Sequence, residues 1–531
     1  MKKSRMISLA LAAVVSLSTI GTAGAAQTTG SADSVLKNKS LYEVRTFAGK
    51  GDYKLKNGES LAAAFREPRS VLYDAAKNSL LVADSRNQLL RVVDKGTVGT
   101  AAGVELGVDD SNLPVGALAD GPVKESAFNT PSGLARAKDG TVYIADSDNH
   151  AIRVLGLDGS VKTIAGNGLF GHKDGSVEES TFYSPLDVAV SSDGAVYVAD
   201  TLNHVIRQIK DGKVTTLNAA SKRVVEYAPG GVDTVGDYAD GPLSSAKFNE
   251  PSGLALDSKG NLYVSDTGNQ RIRYIDFAAG TVATVAGGES GASAGYEANA
   301  IYMEGGYADG SAAKARFHAP RGLTVTSDGG VLIADSLNHV IRYLKDGKVS
   351  TVAGVAGEAG RGNGLAAAAE FNRPVDVEWS GNGSFLVADG GNNMIRIVEP
   401  YRVPQGVQGG KDIHLLYGNA VIPTDAAPFI VNNTTFVPLR VLTEKLGFKV
   451  SYSKGKTTLT RGSLSYEVQE GVSTVVKTAD EQASVTIKLA SAPVNKDSRL
   501  YLPVRFFAEE IGLDVQWLPD IRAVLIRDKQ L

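Results

Sequence analysis

Residues 128–153 read FNTPSGLARAKDGTVYIADSDNHAIR, and this pattern occurs six times along the chain. Each copy has a Phe-x-x-Pro start, an apolar segment that ends in Asp, an Asn three residues later, and a segment containing Ile-Arg or Leu-Arg. The six aspartates recur every 54 to 69 residues and are Asp84, Asp146, Asp200, Asp266, Asp335 and Asp389. A unit of this size in fixed order indicates a repeat architecture.

Each repeat predicts four antiparallel strands. Nearly every residue of Val142–Ala145 is apolar, as a strand buried on both faces requires, whereas Ile152–Val154 alternates. Asp-Gly turn signals lie at 138–140 and 157–159. The remaining two strands are the segment after the Pro and a Thr-Val-Ala-Gly-like segment such as Lys162–Gly166.

The two ends of the repeat region predict how the strands close on themselves. The sixth repeat stops after Ile395–Val398 without an outer strand, and a matching segment, Val44–Gly49, precedes the first repeat. Radial repetition protects the edges of small sheets. The sequence therefore predicts a mainly β fold, a six-bladed β-propeller whose last blade is completed by the N-terminal strand.

The repeats resemble NHL repeats, which are named for an Asn-His-Leu-type turn. The resemblance rests on residues 128–134, 142–150 and 151–153 and on their counterparts in all six units, and it covers residues 41–402. The turn His is kept in three units and replaced by Gln or Asn in the others, at His150, His204, His339, Gln88, Gln270 and Asn393. We interpret it as a turn residue and not as a required chemical group.

A second duplicated pattern follows a Gly- and Pro-containing linker over residues 403–410. Phe436–Val450 and Tyr501–Val515 each predict a strand, a short helix opened by Pro and ended by Gly, and a return strand. The pattern resembles the copper amine oxidase N-terminal-like domain, an α+β stalk module, over residues 411–531. An amine oxidase is excluded because the chain has no Asn-Tyr-Asp/Glu tripeptide and His414 is the only histidine of this region.

Residues 1–26 are predicted to be a signal peptide. A basic start at residues 2–5 precedes an apolar run over 6–20 and a small-residue cleavage site at 23–26. The apolar run is too short to favour a retained membrane span, and no other segment of the sequence approaches the length needed. We therefore expect a secreted, extracellular protein, with cell-wall association left open.

Composition narrows the partners. Without residues 1–26 the counts of 55 basic and 58 acidic residues become 52 and 58, so the formal charge moves from -3 to -6. This mildly acidic balance argues against nucleic acid as a partner, because binding requires phosphates to be neutralised. The chain has no Cys, which excludes disulfides, thiolate metal sites and Cys nucleophiles. We expect a monomer.

The positions that follow the Pro of each repeat provide candidate ligand-binding residues. Asp187 in unit three and Asp376 in unit six should lie on opposite blades, with Arg69 and Arg321 from units one and five flanking the channel. The two carboxylates could hold a divalent cation or a polar ligand. The alternative is that they bond channel backbone or water. No cofactor is predicted, and no His occupies these positions as the zinc-dependent lyases among NHL-like proteins would require.

The recurring polar residues favour a structural interpretation. We expect Asp146, Asn149 and their counterparts to hold the turn between the second and third strands, because a function rarely needs six copies of a site. A recurring Asp-Gly element, with Asn in two units, is also interpreted as turn chemistry. Its members are Asp120, Asp174, Asp240, Asp309, Asn57 and Asn363.

Strand parity places the longest connections, 218–238 and 288–307, on the same side as the channel mouth. Tyr296, Tyr302 and Tyr307 lie in the second of these, and aromatic rings in long loops suit binding of sugars or peptide. Ordinary loop packing is the alternative.

These observations favour a secreted or cell-surface binding or scaffold protein that presents a loop-rich propeller face to a protein or a cell-wall glycan. One alternative is a propeller enzyme of the lactonase or lyase type that uses a metal or polar site at the channel mouth. A second alternative is a structural spacer of the cell envelope.

Overall fold

The computed structural model describes most of the chain after residue 41. The described residues are 42–228, 230–288, 295–407, 409–479, 483–506, 510 and 512–528. The signal peptide expected over residues 1–26 lies outside these ranges. Within them, no helix is long and apolar enough to cross a membrane.

Six five-stranded antiparallel sheets form the larger part of the fold. The N-terminal strand is β1 (Tyr42–Ala48). Blade one contains β2 (Gly58–Glu59), β3 (Pro68–Asp74), β4 (Ser79–Asp84), β5 (Leu89–Asp94) and β6 (Thr97–Ala102). Blade two contains β7 (Gly121–Pro122), β8 (Pro131–Arg136), β9 (Val142–Asp146), β10 (Ala151–Leu155) and β11 (Ser160–Ala165). Blade three contains β12 (Gly175–Ser176), β13 (Pro185–Val190), β14 (Val196–Asp200), β15 (Val205–Lys210) and β16 (Lys213–Thr216).

A separate two-stranded hairpin follows the third blade and consists of β17 (Arg223–Ala228) and β18 (Gly231–Val235). Blade four contains β19 (Gly241–Pro242), β20 (Pro251–Leu256), β21 (Leu262–Asp266), β22 (Arg271–Asp276) and β23 (Thr281–Ala286). Blade five contains β24 (Gly310–Ser311), β25 (Pro320–Val325), β26 (Val331–Asp335), β27 (Val340–Lys345) and β28 (Lys348–Ala353). Blade six contains β29 (Gly364–Leu365), β30 (Asp376–Gly381), β31 (Ser384–Asp389) and β32 (Met394–Pro400), together with β1.

The six sheets are arranged as a ring. The innermost strands contact one another in the order β3, β8, β13, β20, β25, β30, and β30 contacts β3 again. Closure takes place in blade six, where β1 pairs antiparallel with β32 and Val44 lies opposite Val398. The propeller and its closing strand are therefore confirmed. Each blade has five strands and not four, because a two-residue strand such as Gly121–Pro122 is added at the outer edge.

A buried Arg–Asp pair in every blade explains the recurring polar residues. In blade two, Arg153 Nη1 donates to Asp146 Oδ2 at 2.7 Å, and both side chains are fully buried. Asn149 Nδ2 donates to the same oxygen at 2.8 Å, while Asp146 Oδ1 accepts the backbone N–H of Asn129 at 2.8 Å. The guanidinium also lies over the ring of Phe128, 5.3 Å from its centre. The Asp and Asn thus hold the turn, as expected.

The recurring Asp-Gly element has a different role from the one predicted. Asp120 Oδ1 accepts from Arg153 Nη2 at 2.8 Å, and Asp120 Oδ2 accepts the backbone N–H of Thr163 at 3.0 Å. It therefore ties the outer strand to the buried arginine instead of only shaping a turn. The turn His is confirmed as a conformational residue, since His150 adopts the left-handed region at φ 51°.

The described residues of the C-terminal region include three small antiparallel or mixed sheets and the short helix α1. Its first elements are β33 (His414–Tyr417), β34 (Ala420–Val421), β35 (Phe429–Val431), β36 (Thr434–Pro438), α1 (Leu439–Lys445), β37 (Lys449–Ser453) and β38 (Lys456–Arg461). The remaining elements are β39 (Leu464–Gln469), β40 (Thr474–Ala479), β41 (Val485–Lys488), β42 (Val494–Lys496), β43 (Arg499–Pro503), β44 (Leu513–Leu518) and β45 (Ala523–Asp528). The two copies of the duplicated pattern meet where β36 pairs with β43.

The segment predicted as a linker packs against both regions. Val407 is buried in an apolar cluster that also contains Leu365 of blade six and Leu416 and Leu525 of the C-terminal region. Tyr401 Oη donates to the Gly418 carbonyl at 2.7 Å. The two regions are therefore in direct contact.

Candidate ligand-binding face

The channel mouth and the six Asn-containing turns lie at one end of the propeller. Because neighbouring strands run in opposite directions, the start of each innermost strand and the turn between the second and third strands share that end. We call it the upper face, and its six turn residues are Gln88, His150, His204, Gln270, His339 and Asn393.

Asp187 and Asp376 both line a narrow cavity at the channel mouth, as predicted. The cavity has a volume of about 30 Å³, and Arg69 and Arg321 line it as well. A volume of this size holds roughly one water molecule. The channel is therefore closed at this level to anything larger.

Both carboxylates are occupied by backbone N–H groups. Asp187 accepts from Val188 at 2.8 Å and, across to the fourth blade, from Leu254 at 2.7 Å. Asp376 accepts from Val377 at 2.8 Å and, across to the first blade, from Val71 at 3.0 Å. Each carboxylate thus joins two neighbouring innermost strands, which is the structural alternative considered for this pair.

Glycine on the preceding blade makes room for each carboxylate. A Cβ on Gly133 would lie 2.1 Å from Asp187 Oδ1, and a Cβ on Gly322 would lie 2.1 Å from Asp376 Oδ1. Contacts this short do not occur between real atoms, so a side chain at either glycine would displace the carboxylate. The Gly–Asp pairs on blades two and three and on blades five and six therefore give the channel mouth an approximate two-fold symmetry.

A third acidic residue, Glu378, lies deeper in the channel. It follows Asp376 by two residues on β30, and Thr324 Oγ1 donates to its Oε2 at 3.3 Å. Burial raises the pKa of Glu378 to about 8, and the negative charge of Asp376 contributes to the rise. Burial and the charge of Asp376 likewise raise the pKa of Asp187 well above its ordinary value. The sequence analysis missed Glu378, although period-two alternation from Asp376 would have placed it on the channel side.

All three predicted loop tyrosines have partners inside the protein. The guanidinium of Arg223 lies 3.6 Å from the centre of the Tyr296 ring, which joins the hairpin β17–β18 to this loop. Tyr307 lies 4.7 Å from the guanidinium of Arg342, the buried arginine of blade five. Tyr302 is 47% exposed and donates to Glu250 Oε1 at 2.8 Å, and Tyr307 is 44% exposed, so these two are better placed than Tyr296 to meet a ligand.

An exposed group of aromatic and aliphatic side chains on the upper face had no counterpart in the sequence analysis. We call Leu169, Phe170, Tyr183 and His150 the aromatic patch. Phe170 is 68% exposed and Leu169 is 66% exposed. The rings of Phe170 and Tyr183 are 5.3 Å apart, and that of His150 lies 6.1 Å from Phe170 and 5.7 Å from Tyr183. The patch adjoins the mouth, because Ser184, directly before β13, donates its N–H to His150 Nδ1 at 3.1 Å.

Comparison with known families agrees with this architecture. The NHL repeat matches residues 128–155 and 182–209, and the Teneurin NHL domain matches residues 235–345. The copper amine oxidase N-terminal domain matches residues 416–526. The chain carries NHL repeats and a copper amine oxidase N-terminal domain. Both resemblances inferred from the sequence are confirmed.

Individual proteins are similar to this chain over part of their length. Protein SUPPRESSOR OF QUENCHING 1, chloroplastic, of Arabidopsis thaliana is 30% identical over 294 residues, which cover 53% of this chain and 26% of that protein. NHL repeat-containing protein 2 of Bos taurus is 29% identical over 355 residues, which cover 62% of this chain and 46% of that protein. The chain thus spans less than half the length of each relative. A solved structural genomics protein of Bacteroides thetaiotaomicron is similar with a TM-score of 0.48 at 20% identity, covering 67% of this chain and 76% of that one.

Proposed function

We propose that the protein is an exported binding protein whose NHL propeller holds a cell-wall glycan on its upper face. The observation that carries the proposal is the aromatic patch beside the channel mouth. Isolated exposed apolar residues are ordinary on a protein surface, whereas contiguous apolar groups with polar surroundings mark interaction sites. Here Leu169 and Phe170 are each about two thirds exposed, and the Phe170 ring lies against the Tyr183 ring.

The chemistry around the patch suits a sugar polymer. Aromatic rings provide a flat apolar surface, and Tyr183 and Tyr302 add hydroxyl groups that can form hydrogen bonds at the edge of that surface. Arg69 and Arg321 line the channel mouth. A ligand that crosses the mouth from Phe170 to Tyr302 would meet rings at both ends and charges at the centre. A protein ligand is the alternative that the experiment below distinguishes.

The enzyme alternative would use the carboxylates of Asp187 and Asp376. Each of them accepts two backbone hydrogen bonds, and the cavity between them is about 30 Å³ in volume. A substrate would therefore have to react at the mouth, above these groups. The spacer alternative requires no ligand at all, so it predicts that upper-face substitutions change no interaction.

The test is retention of the mature protein on purified sacculi of Gram-positive bacteria. Substituting both Leu169→Ser and Phe170→Ser should abolish retention while leaving the melting temperature nearly unchanged, because exposed loop substitutions cost little stability. Leu157→Ser is the matched control: Leu157 is 72% exposed and lies in the turn between β10 and β11, at the opposite end of the blade.

Full retention of the Leu169/Phe170 double variant would contradict the proposal. Retention that is lost on removing wall proteins from the sacculi, but not on digesting the glycan, would identify a protein ligand. Equal retention of all variants together with loss on deleting residues 411–531 would place the binding surface in the C-terminal region.

A further inference from the structure

Two arginines from non-adjacent blades line the channel mouth. Arg69 is the residue after the Pro that begins β3, and Arg321 occupies the same position in β25. Both line the small cavity at the channel mouth. Blades one and five are separated only by blade six, so the two guanidinium groups approach the mouth from two sides.

Neither guanidinium has a close acidic partner among the described residues. Arg69 Nη2 is 4.0 Å from Glu67 Oε2, and Arg86 Nε is nearer to that same oxygen, at 3.5 Å. Arg321 forms no hydrogen bond and no ion pair within 4.0 Å in the described part of the chain. Glu250, whose negative charge acts on Arg321, accepts a hydrogen bond from Tyr302 at 2.8 Å.

Acidic groups accompany the arginines around the mouth. Arg69, Arg86, Arg321 and Arg373 face Glu67, Glu250 and Asp148. Asp187 and Asp376 line the same cavity, and their oxygens accept backbone N–H groups. Asp148 is also engaged, since its Oδ2 accepts from Thr130 Oγ1 at 2.5 Å. Burial and the positive charge of Arg321 lower the pKa of Arg69, as expected for two cations held close together in a partly dry site.

We propose that Arg69 and Arg321 form an anion subsite that binds a carboxylate or phosphate group of the ligand at the channel mouth. The inference rests on the proposed function and specifies the ligand's chemistry. Guanidinium groups present two N–H donors in the geometry of a carboxylate or phosphate, and such paired bonds are among the strongest in proteins. An anion between the two would supply the acceptors that the protein withholds and would screen their mutual repulsion.

The narrow cavity limits how far an anion can enter. Asp187 and Asp376 line the same cavity as the two arginines, and it holds roughly one water molecule. An anionic group therefore binds at the outer opening of this cavity and does not enter the channel. The remainder of the ligand extends over the upper face towards the aromatic patch or towards Tyr302.

The test is calorimetric titration of the full mature chain with three oligomers of similar length. Oligogalacturonate carries carboxylates, poly(glycerol phosphate) carries phosphates, and an N-acetylglucosamine oligomer is neutral. At least one anionic oligomer should bind more tightly than the neutral one, and its identity tells carboxylate from phosphate. Arg69→Gln with Arg321→Gln should weaken that binding by about tenfold or more, the loss expected for a charged hydrogen bond. Arg499→Gln, at an exposed arginine of the C-terminal region, should leave the affinity unchanged.

The salt dependence of binding to the unsubstituted protein is a second test, which does not depend on a variant that folds. Affinity for the anionic oligomer should fall as NaCl screens the arginines. Unchanged anionic affinity in the double Arg variant, or absence of binding by both anionic oligomers, would overturn the inference. If the neutral oligomer binds, and only the Leu169/Phe170 variant weakens it, the anion subsite is refuted while the proposed function stands. If no oligomer binds and the protein is not retained on sacculi either, both the anion subsite and the proposed function are refuted.

Discussion

The substitution Glu378→Gln should remove a large pH dependence from the stability of the propeller. The folded-state pKa of Glu378 is about 8, against an ordinary value of 4.5. The folded state therefore keeps the proton over a pH range in which the unfolded state loses it. Stability from this group is fully present below about pH 4.5 and is lost as the pH rises to about 8.

The magnitude follows from the size of the shift. Each pH unit between about 4.5 and 8 lowers the free energy of unfolding of the wild type by about 1.4 kcal/mol. The whole range therefore lowers it by about 5 kcal/mol as an upper limit. Solvent reaches part of the side chain, which reduces the effect. Glutamine is neutral at every pH and keeps an oxygen to accept from Thr324 Oγ1. The free energy of unfolding of the variant minus that of the wild type should thus grow steadily from pH 5 to pH 8.

The assay is urea unfolding of both proteins at one-unit pH intervals from about 5 to 9. The slope of the unfolding free energy against pH reports how many protons the folded and unfolded states bind. A difference in unfolding free energy that stays constant across these pH values would refute the reasoning, because it would mean that Glu378 titrates alike in both states. Added Ca²⁺ or Mg²⁺ at pH 8 gives a second reading. If Asp187 and Asp376 only join strands, the cations leave stability unchanged, whereas a metal site would raise it through binding to the folded state.

Two further predictions concern the scaffold. Val44→Ala in the closing strand removes two methyl groups from a fully buried site and should lower the free energy of unfolding by about 2 kcal/mol. The control is Arg45→Ala, at an exposed neighbour paired with Glu399, which should lower it by less than about 1 kcal/mol. Equal effects of the two substitutions in urea unfolding would argue against closure by β1. Arg153→Met leaves the buried carboxylate of Asp146 without a cation and should lower the free energy of unfolding by about 3 to 5 kcal/mol. The control is Lys210→Met, at an exposed ion pair with Asp193, which should leave the urea midpoint nearly unchanged. An Arg153 variant as stable as the wild type would disprove the structural role of the Arg153–Asp146 pair.

The propeller was predictable because the same sequence pattern of strands and turns occurs six times. Turn residues, apolar alternation and the Phe-x-x-Pro start all agree within each unit, and the missing strand of the sixth unit pointed to Val44–Gly49. The fifth strand escaped prediction because a two-residue bridge such as Gly121–Pro122 has no periodicity. The contact of Val407 and Leu365 with the C-terminal region was not predicted for another reason. A single apolar residue in a loop or at the end of a strand does not show in the sequence which part of the chain it packs against.

The candidate site was predictable only where it belongs to the repeat. Equivalent positions in the ring placed Asp187 opposite Asp376 correctly, and the same alternation would have reached Glu378. The aromatic patch lies in a connection between blades, where the residue at the position of Phe170 changes from blade to blade. Tyr53 in blade one and Ala359 in blade six form the same bridge to the Phe of their repeat. Comparison between repeats therefore did not single out Phe170. An aromatic residue in a loop also does not reveal its partners, which is why Tyr296 and Tyr307, both packed against arginines, could not be told from Tyr302.

The most direct test of the upper face as the binding surface is amide hydrogen exchange of the intact mature protein, with and without soluble glycan fragments released by muramidase from sacculi. Bound fragments should slow exchange in peptides that cover residues 167–184 and 299–303, the aromatic patch and the segment around Tyr302. Slowing confined to residues 414–526 would contradict the account and assign binding to the copper amine oxidase N-terminal domain.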